Sequence, residues 1–418
     1  MPKFSYGNEE YSFDLSEIEK KPYSFGGHVE ASPVLFWFDQ NASLYKLKFF
    51  DRDDGGTAEE YNVTLQLDGS YEKGITKFYT KINANIRQSY LGWADQTNIL
   101  EGYVSLNPSH SLSINMGKKA LKWGKGYAWT PAAFLDKTKD PDDPDLALEG
   151  LANLSADYIK SYSGRLKTIS FTPVLVPVYS DLNSDFGEKN MINFAAKLYL
   201  LLYDTDIDFI VLARGSRTTR YGFDFSGNLT PNFEIHGELA IIQNFAKKFI
   251  DNNGNLSNNI FNAKNFLLGI RYLTELDTTF VIEYYHNDTG FSENQMKNYF
   301  SFIDQAYESY STTGNSTLLQ QALTITEDNY GKMNPMRNYL YTRISQKEPL
   351  DILYLTPSIT GIFNIDDKSF SLSPEIAYTG ITNLELRLKV SILSGLRNSE
   401  YREKQNAYRS ELRMRYYF

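Results

Sequence analysis

The stretch Tyr408-Arg409-Ser410-Glu411-Leu412-Arg413-Met414-Arg415-Tyr416-Tyr417-Phe418 changes character at almost every step. Tyr408, Ser410, Leu412, Met414, Tyr416 and Phe418 hold one phase, and Arg409, Glu411, Arg413, Arg415 and Tyr417 hold the other. Successive side chains of a β-strand point to opposite faces, so this is a strand with one largely apolar, aromatic face and one charged face. The preceding segment reads alike: Leu384, Leu386, Leu388, Val390 and Ile392 alternate with Glu385, Arg387, Lys389 and Ser391. A soluble sandwich also alternates, so repetition along the chain has to decide the fold.

The pattern does repeat. Tyr61, Val63, Leu65 and Leu67 alternate with Asn62, Thr64, Gln66 and Asp68; Phe78, Ile82, Ala84 and Ile86 alternate with Lys77, Tyr79, Lys81, Asn83, Asn85 and Arg87. Comparable runs lie around Ile114, Phe194, Ile235 and Ile282, whereas 165–178 is mostly apolar and 20–40 is ambiguous. Segments of about ten residues separated by turn residues are the signature of a transmembrane β-barrel. Connector lengths give a second test, because such barrels carry short turns at one rim and long loops at the other. Long connectors are expected at 51–59, 88–97, 122–152, 179–190, 244–262, 287–336 and 394–406, with short ones such as 71–74 and 204–206 between them. The expected fold is therefore all-β: a transmembrane antiparallel up-and-down barrel of about 18 strands, with long extracellular loops and a small helical loop insertion. The count starts at 43–50, which leaves 1–40 as a periplasmic lead-in or lumen-facing segment and 41–418 as the barrel. The alternative is that 24–37 is the first strand.

Composition agrees. The 418 residues carry 42 Lys plus Arg against 51 Asp plus Glu, a net charge of −9, which lacks the basic excess of a nucleic-acid binder. There is no Cys, hence no disulfide framework or thiolate metal site. No apolar run reaches the length of a membrane helix. Met1-Pro2-Lys3 begins no targeting sequence, so an exported chain is expected to have lost its signal. Aromatics make up 15% of the residues; in a barrel they would mark the two lipid–water boundaries. Candidates for these girdles are Tyr61, Phe78, Tyr158, Phe194, Phe233, Tyr272, Phe280, Tyr284, Tyr408, Tyr416 and Phe418.

On these residues the chain resembles Gram-negative outer-membrane β-barrels of the porin type. The strand 408–418, with Tyr416 and Phe418 at its end, looks like the signal by which the barrel-assembly machinery recognises its clients. The run Lys122-Trp123-Gly124-Lys125-Gly126-Tyr127-Ala128-Trp129, with Lys139-Asp140-Pro141-Asp142-Asp143-Pro144 after it, is similar to a segment of poorly characterised porin-like barrels. The resemblance implies a bacterial outer-membrane location, lipid as the surrounding solvent and no nucleic-acid partner.

A barrel of this size leaves an aqueous lumen unless loops fill it. Its expected lining is segregated. Lys46, Lys48, Lys77, Lys81, Arg87, Arg387, Lys389, Arg409, Arg413 and Arg415 form a basic side. Asp208, Asp224, Glu234, Glu238 and Glu283 form an acidic side, with Arg214, Arg220 and Arg271 among them. A transverse field and modest anion preference would follow; pairing of these charges across neighbouring strands is the competing reading. The 122–152 loop, which carries Lys122, Trp123, Lys125, Tyr127 and Trp129, is the expected constriction, because so much aromatic surface would be costly to leave solvated. Asp140, Asp142, Asp143 and Asp145 offer hard oxygens, yet the glycine and distal Glu of an EF-hand are missing, so a solvated acidic tract is expected rather than bound calcium. In 287–336, Met296, Tyr299, Phe300, Ile303 and Tyr307, then Leu318, Leu319, Ala322 and Leu323, recur at helical spacing, with Ser316 a candidate cap.

Nothing points to an enzyme or a cofactor. His28, His110, His236 and His286 are scattered, and no phosphate loop or nucleophile elbow is present. His236, in phase with Glu234 and Glu238, is expected to make a lumen hydrogen bond. The leading expectation is a channel for small hydrophilic solutes. The alternative is a scaffold barrel sheathing a cytochrome or lipoprotein, or exporting a polymer. A homo-oligomer or a periplasmic partner is left open.

Overall fold

The computed structural model describes residues 21–52, 55–144, 146, 148–251 and 254–418. Among them are eighteen strands: β1 Tyr23–Phe38, β2 Thr57–Lys73, β3 Thr76–Ser89, β4 Gly92–Ser109, β5 Leu112–Lys119, β6 Leu151–Ser161, β7 Leu166–Val178, β8 Met191–Leu202, β9 Thr205–Leu212, β10 Arg220–Thr230, β11 Phe233–Ile250, β12 Leu256–Leu273, β13 Thr278–Asn287, β14 Asn338–Gln346, β15 Leu355–Asn364, β16 Ser369–Ile381, β17 Leu384–Ser394 and β18 Asn406–Tyr417. Each pairs antiparallel with its sequence neighbours, and β1 closes on β18 with His28 opposite Tyr417. Closure leaves no edge for another chain to extend. The seam is sealed by reciprocal bonds of 3.1 Å between the Gly27 and Phe418 backbones.

Connectors after odd-numbered strands gather at one rim and include 39–56, 120–150, 179–190, 288–337 and 395–405. Those after even-numbered strands are mostly tight, 347–354 being the longest; in 203–204, Tyr203 and Asp204 both take positive φ, as a type I′ hairpin turn requires. The long rim is not uniformly long. The expected loops 88–97 and 244–262 are mostly strand, joined by 90–91 and 251–255.

Where the sequence alternates, the outward phase is the apolar one. Tyr61, Phe78, Tyr158, Phe194, Tyr272, Tyr408, Tyr416 and Phe418 are exposed on the outside, while Phe233, Phe280 and Tyr284 are half covered. So continuous an apolar band would drive association in water and suits hydrocarbon. No helix among the described residues is long and apolar enough to cross a membrane. A closed sheet can cross instead, because its backbone groups pair between strands.

The first strand is Tyr23–Phe38, not 43–50. The latter residues form a short helix, α1 Ser43–Phe49, so Lys46 and Lys48 stand at the long rim rather than on the wall. The misleading alternation has a physical cause. Tyr45 and Phe49, one helical turn apart, pack with Phe38 and Tyr90, while Leu47 on another face joins a second core. Burial on two faces of a helix imitates period two. Residues 1–20 lie outside the described residues.

The insertion after β13 forms α2 Glu293–Thr313 and α3 Thr317–Ile325. Ser292 and Gln295 make a capping box, and Gly314 at φ 72° ends α2 by donating to Tyr310 O at 2.8 Å. Ser316 does not cap α3 with its side chain; Asn315 Oδ1 accepts from Thr317 N at 2.9 Å instead. Met296, Tyr299, Phe300, Ile303, Leu319 and Ala322 share one core with Ala128, Trp129, Leu267 and Tyr341. The helices thus pack into the mouth.

Candidate functional site: a loop bridged between two walls

The segment 120–150 contacts inward side chains on opposite stretches of the barrel, which only a chain lying inside it can do. At one end it wraps two buried carboxylates. Glu238 Oε1 accepts from Lys125 N at 2.6 Å and Gly126 N at 2.7 Å, and its Oε2 from Ala132 N at 3.0 Å. Glu283 Oε1 accepts from Tyr127 N at 2.5 Å and Oε2 from Ala128 N at 2.8 Å. His236 Nε2 lies 2.9 Å from Glu283 Oε1. Charged acceptors of backbone N–H bonds are the stronger class of hydrogen bond, and here they satisfy loop amides that would otherwise be buried unpaired.

The register explains why this wall needs the loop. Asp208, Asp224 and Glu238 are directly opposite one another across β9, β10 and β11. Like charges so placed repel. The loop returns a cation: Lys125 Nζ is 3.2 Å from Asp208, with Lys197 of β8 at 3.7 Å. Tyr127 Oη donates to Glu234 at 3.2 Å, and Trp129 stacks on Tyr285 and donates to Asn334. Trp123 is buried, with Lys197 Nζ 5.8 Å above its ring; Lys122 is exposed at positive φ.

At the far end the acidic tract meets the basic wall. Asp142 is 2.8 Å from Lys389 Nζ and accepts from Ser373 Oγ at 2.9 Å. Asp143 is 2.8 Å from Arg413 Nη1. Burial alone would raise the Asp142 pKa; the Lys389 ammonium and the Ser373 hydroxyl outweigh it and leave the carboxyl below its ordinary value. Burial raises Asp140, whose carboxylate accepts from Asp142 N at 2.9 Å. The expected solvated tract is instead half-buried, with Asp142 and Asp143 ion-paired. Asp145 lies outside the described residues, and these contain no cluster of three metal-ligating side chains.

Most of the remaining basic-wall residues also have partners. Arg415 is 2.6 Å from Glu30, Arg409 2.5 Å from Glu411, and Arg387 pairs with Glu385. At the rim, Lys46 bridges to Asp304 of α2 at 2.8 Å and Lys48 lies over the Tyr90 ring. Lys77, Lys81 and Arg87, inward on β3, make no ion pair among the described residues. Glu30, Glu385 and Glu411 thus lie among the basic residues and pair with them, as in the competing reading of the lining, and the loop adds Asp142 and Asp143 to the same stretch. The sequence singled out no role for Asp136, whose carboxylate accepts from Leu121, Lys122 and Trp123 N at 2.8–2.9 Å and closes the turn leading into the loop. Glu30, Glu411, Arg217 and Lys332 were likewise given no role; the alternation of 408–418 was the only signal, for Glu411, because 20–40 reads as ambiguous.

Neither a protein-family model nor a curated protein sequence matches this chain. Its fold is similar to solved structures. Pseudomonas aeruginosa OccK11 (OpdR) superposes with a TM-score of 0.55 at 10% identity, covering 94% of this chain and 95% of that one. A BenF-like porin from Pseudomonas fluorescens Pf-5 gives 0.55 at 10% identity over 95% and 98%. Acinetobacter baumannii OccAB1 gives 0.51 at 10% identity over 94% and 96%. At such identities the likeness establishes the shared barrel.

Proposed function

We propose that this chain is a porin of the bacterial outer membrane, passing small hydrophilic solutes through a lumen narrowed by the 120–150 loop. The observation that carries the reading is the bridge itself: Glu238 and Glu283 grip one end of the loop and Lys389 and Arg413 the other. It fixes a defined cross-section within a closed, lipid-facing barrel. The lining is then drawn from Glu234, Lys77, Lys81, Arg87, Arg387, Lys389, Arg409, Arg413 and Arg415, with Asp208, Asp224, Glu238 and Glu283 buried behind the loop, and the constriction from Lys122 to Trp129 with Asp140, Asp142 and Asp143. The unpaired cations of β3 favour modest anion selectivity. The outward Tyr416 and Phe418 are the residues we assign to recognition by the assembly machinery.

Planar-bilayer recording of the purified protein tests this. The expected result is a steady single-channel conductance with a reversal potential on the anion side in a salt gradient. The double variant Glu238→Ala/Glu283→Ala frees five backbone N–H groups and is expected to raise conductance several-fold while the barrel stays folded. The helices packed into the mouth favour one rival, a barrel sheathing a partner protein. Absence of current from wild type together with large current from the double variant would select that rival.

A further inference from the structure

At the long-loop rim, between the bridged loop and the wall formed by β10 to β13, lies a cavity of about 740 Å³. Its lining includes Arg217, Arg220, Lys247 and Lys332, with Phe134 and Tyr285 among its aromatic walls. None of these four cations has an ion pair among the described residues, in contrast to Lys389, Arg413 and Arg415 of the basic wall. The carboxylates that reach the cavity are committed elsewhere: Asp136 to three backbone amides and Asp185 to Lys137.

Three of the cations are also held in place. The Arg217 guanidinium lies 4.0 Å from the Phe186 ring centroid and donates to Phe186 O and Phe134 O. The Arg220 guanidinium lies 5.9 Å from the Phe134 ring, and its buried Nε has no hydrogen-bond partner in the protein. Lys247 Nζ donates to Gly290 O and stands 5.0 Å from the Phe291 ring. Partial burial, then the nearby Arg217 and Arg220, lower the Lys332 pKa below its ordinary value, so the three charges feel one another. Like charges gathered in a partly dry space, with an unsatisfied guanidinium N–H, form a preorganised receptor for an anion.

We propose that this cavity is a binding site for a small organic phosphate, a dianion met by the planar guanidiniums of Arg217 and Arg220 and the point charges of Lys247 and Lys332. A monocarboxylate would neutralise too little of the cluster, and a phosphate ester presents three oxygens to forked donors. The aromatic walls then face the carbon skeleton. The site deepens the channel reading, and its role in uptake rests on that reading; the binding event itself does not.

Isothermal titration of the full chain in detergent micelles tests the assignment, with glucose 6-phosphate, gluconate and glucose as probes of matched size. Glucose 6-phosphate is expected to bind more tightly than gluconate, and glucose to show no binding. Arg220→Gln is expected to weaken glucose 6-phosphate roughly tenfold to a hundredfold, the effect of losing one charge-assisted bond. Lys332→Gln, on an exposed loop where folding is not at risk, is expected to weaken it as well, and Arg165→Gln at the opposite rim to leave it unchanged. Equal affinity for gluconate and glucose 6-phosphate overturns the proposal, as does unchanged binding in both cavity variants. Binding without conductance overturns the channel and keeps the site; conductance without binding does the reverse.

Discussion

A Cβ on Gly126 would lie 1.9 Å from the Trp129 carbonyl oxygen and 3.1 Å from Leu267, and one on Gly124, at φ +88°, would lie 2.8 Å from Glu238 Oε1. Both glycines are needed because the backbone must turn closely enough for consecutive amides to reach a carboxylate. Gly126→Ala therefore displaces the amides that hold Glu238 and Glu283. The expected outcome is a larger single-channel conductance with unchanged heat-modifiable migration on a denaturing gel, since the strands are untouched. A variant with wild-type conductance would show that the grip does not set the pore. The sequence places the two glycines in the expected constriction loop and the two glutamates on the inward face. It did not join them, because Gly126 and Glu238 are 112 positions apart and only barrel closure brings them together. Pairing between distant segments leaves no trace in local periodicity.

At the scale of elements, sequence and structure agree where one face meets lipid and the other water, and part where that condition fails. β7 reads as mostly apolar because Val174, Val176 and Val178 point inward against Trp123, Phe134 and Leu135 of the bridged loop. Its inner face has protein rather than water beside it. The loop 395–405 is a further case, packed by polar contacts that have no period. There Glu400 is buried, its Oε2 accepting from Tyr339 Oη at 2.6 Å and from Asn364 Nδ2 at 2.8 Å. Burial first, with Asp367 adding to it, pushes its pKa from 4.5 up to about 7, against the opposing pull of Lys404, Tyr339 and Asn364. A raised carboxyl pKa means that the ordered loop binds a proton that the opened loop releases. This contribution to order is complete below about pH 4.5 and is lost as the pH rises through about 7, a total on the order of 3 kcal/mol. Opening free energies for 395–405, taken from hydrogen exchange corrected for intrinsic rates, are expected to fall across that window. In Glu400→Gln they are expected to be flat.

For the molecule as a whole, the two sides of the sheet work in different solvents, and a charge placed on each separates them. Ile282 is outward near the middle of β13, between the inward Val281 and Glu283. Arg in its place must reach through hydrocarbon to water, which costs about 2–4 kcal/mol at the midplane. Asn83 is inward on β3, in phase with Lys81 and Asn85. Arg there enters a wet lumen and leaves folding nearly unchanged. Urea titration of folding into lipid vesicles is therefore expected to show a large loss for Ile282→Arg and little for Asn83→Arg. Equal losses would mean that both faces see the same medium, which a packed soluble protein predicts and a water-filled barrel does not. The comparison bears on transport as well, because only a lumen that already holds water admits hydrophilic solutes past the bridged loop.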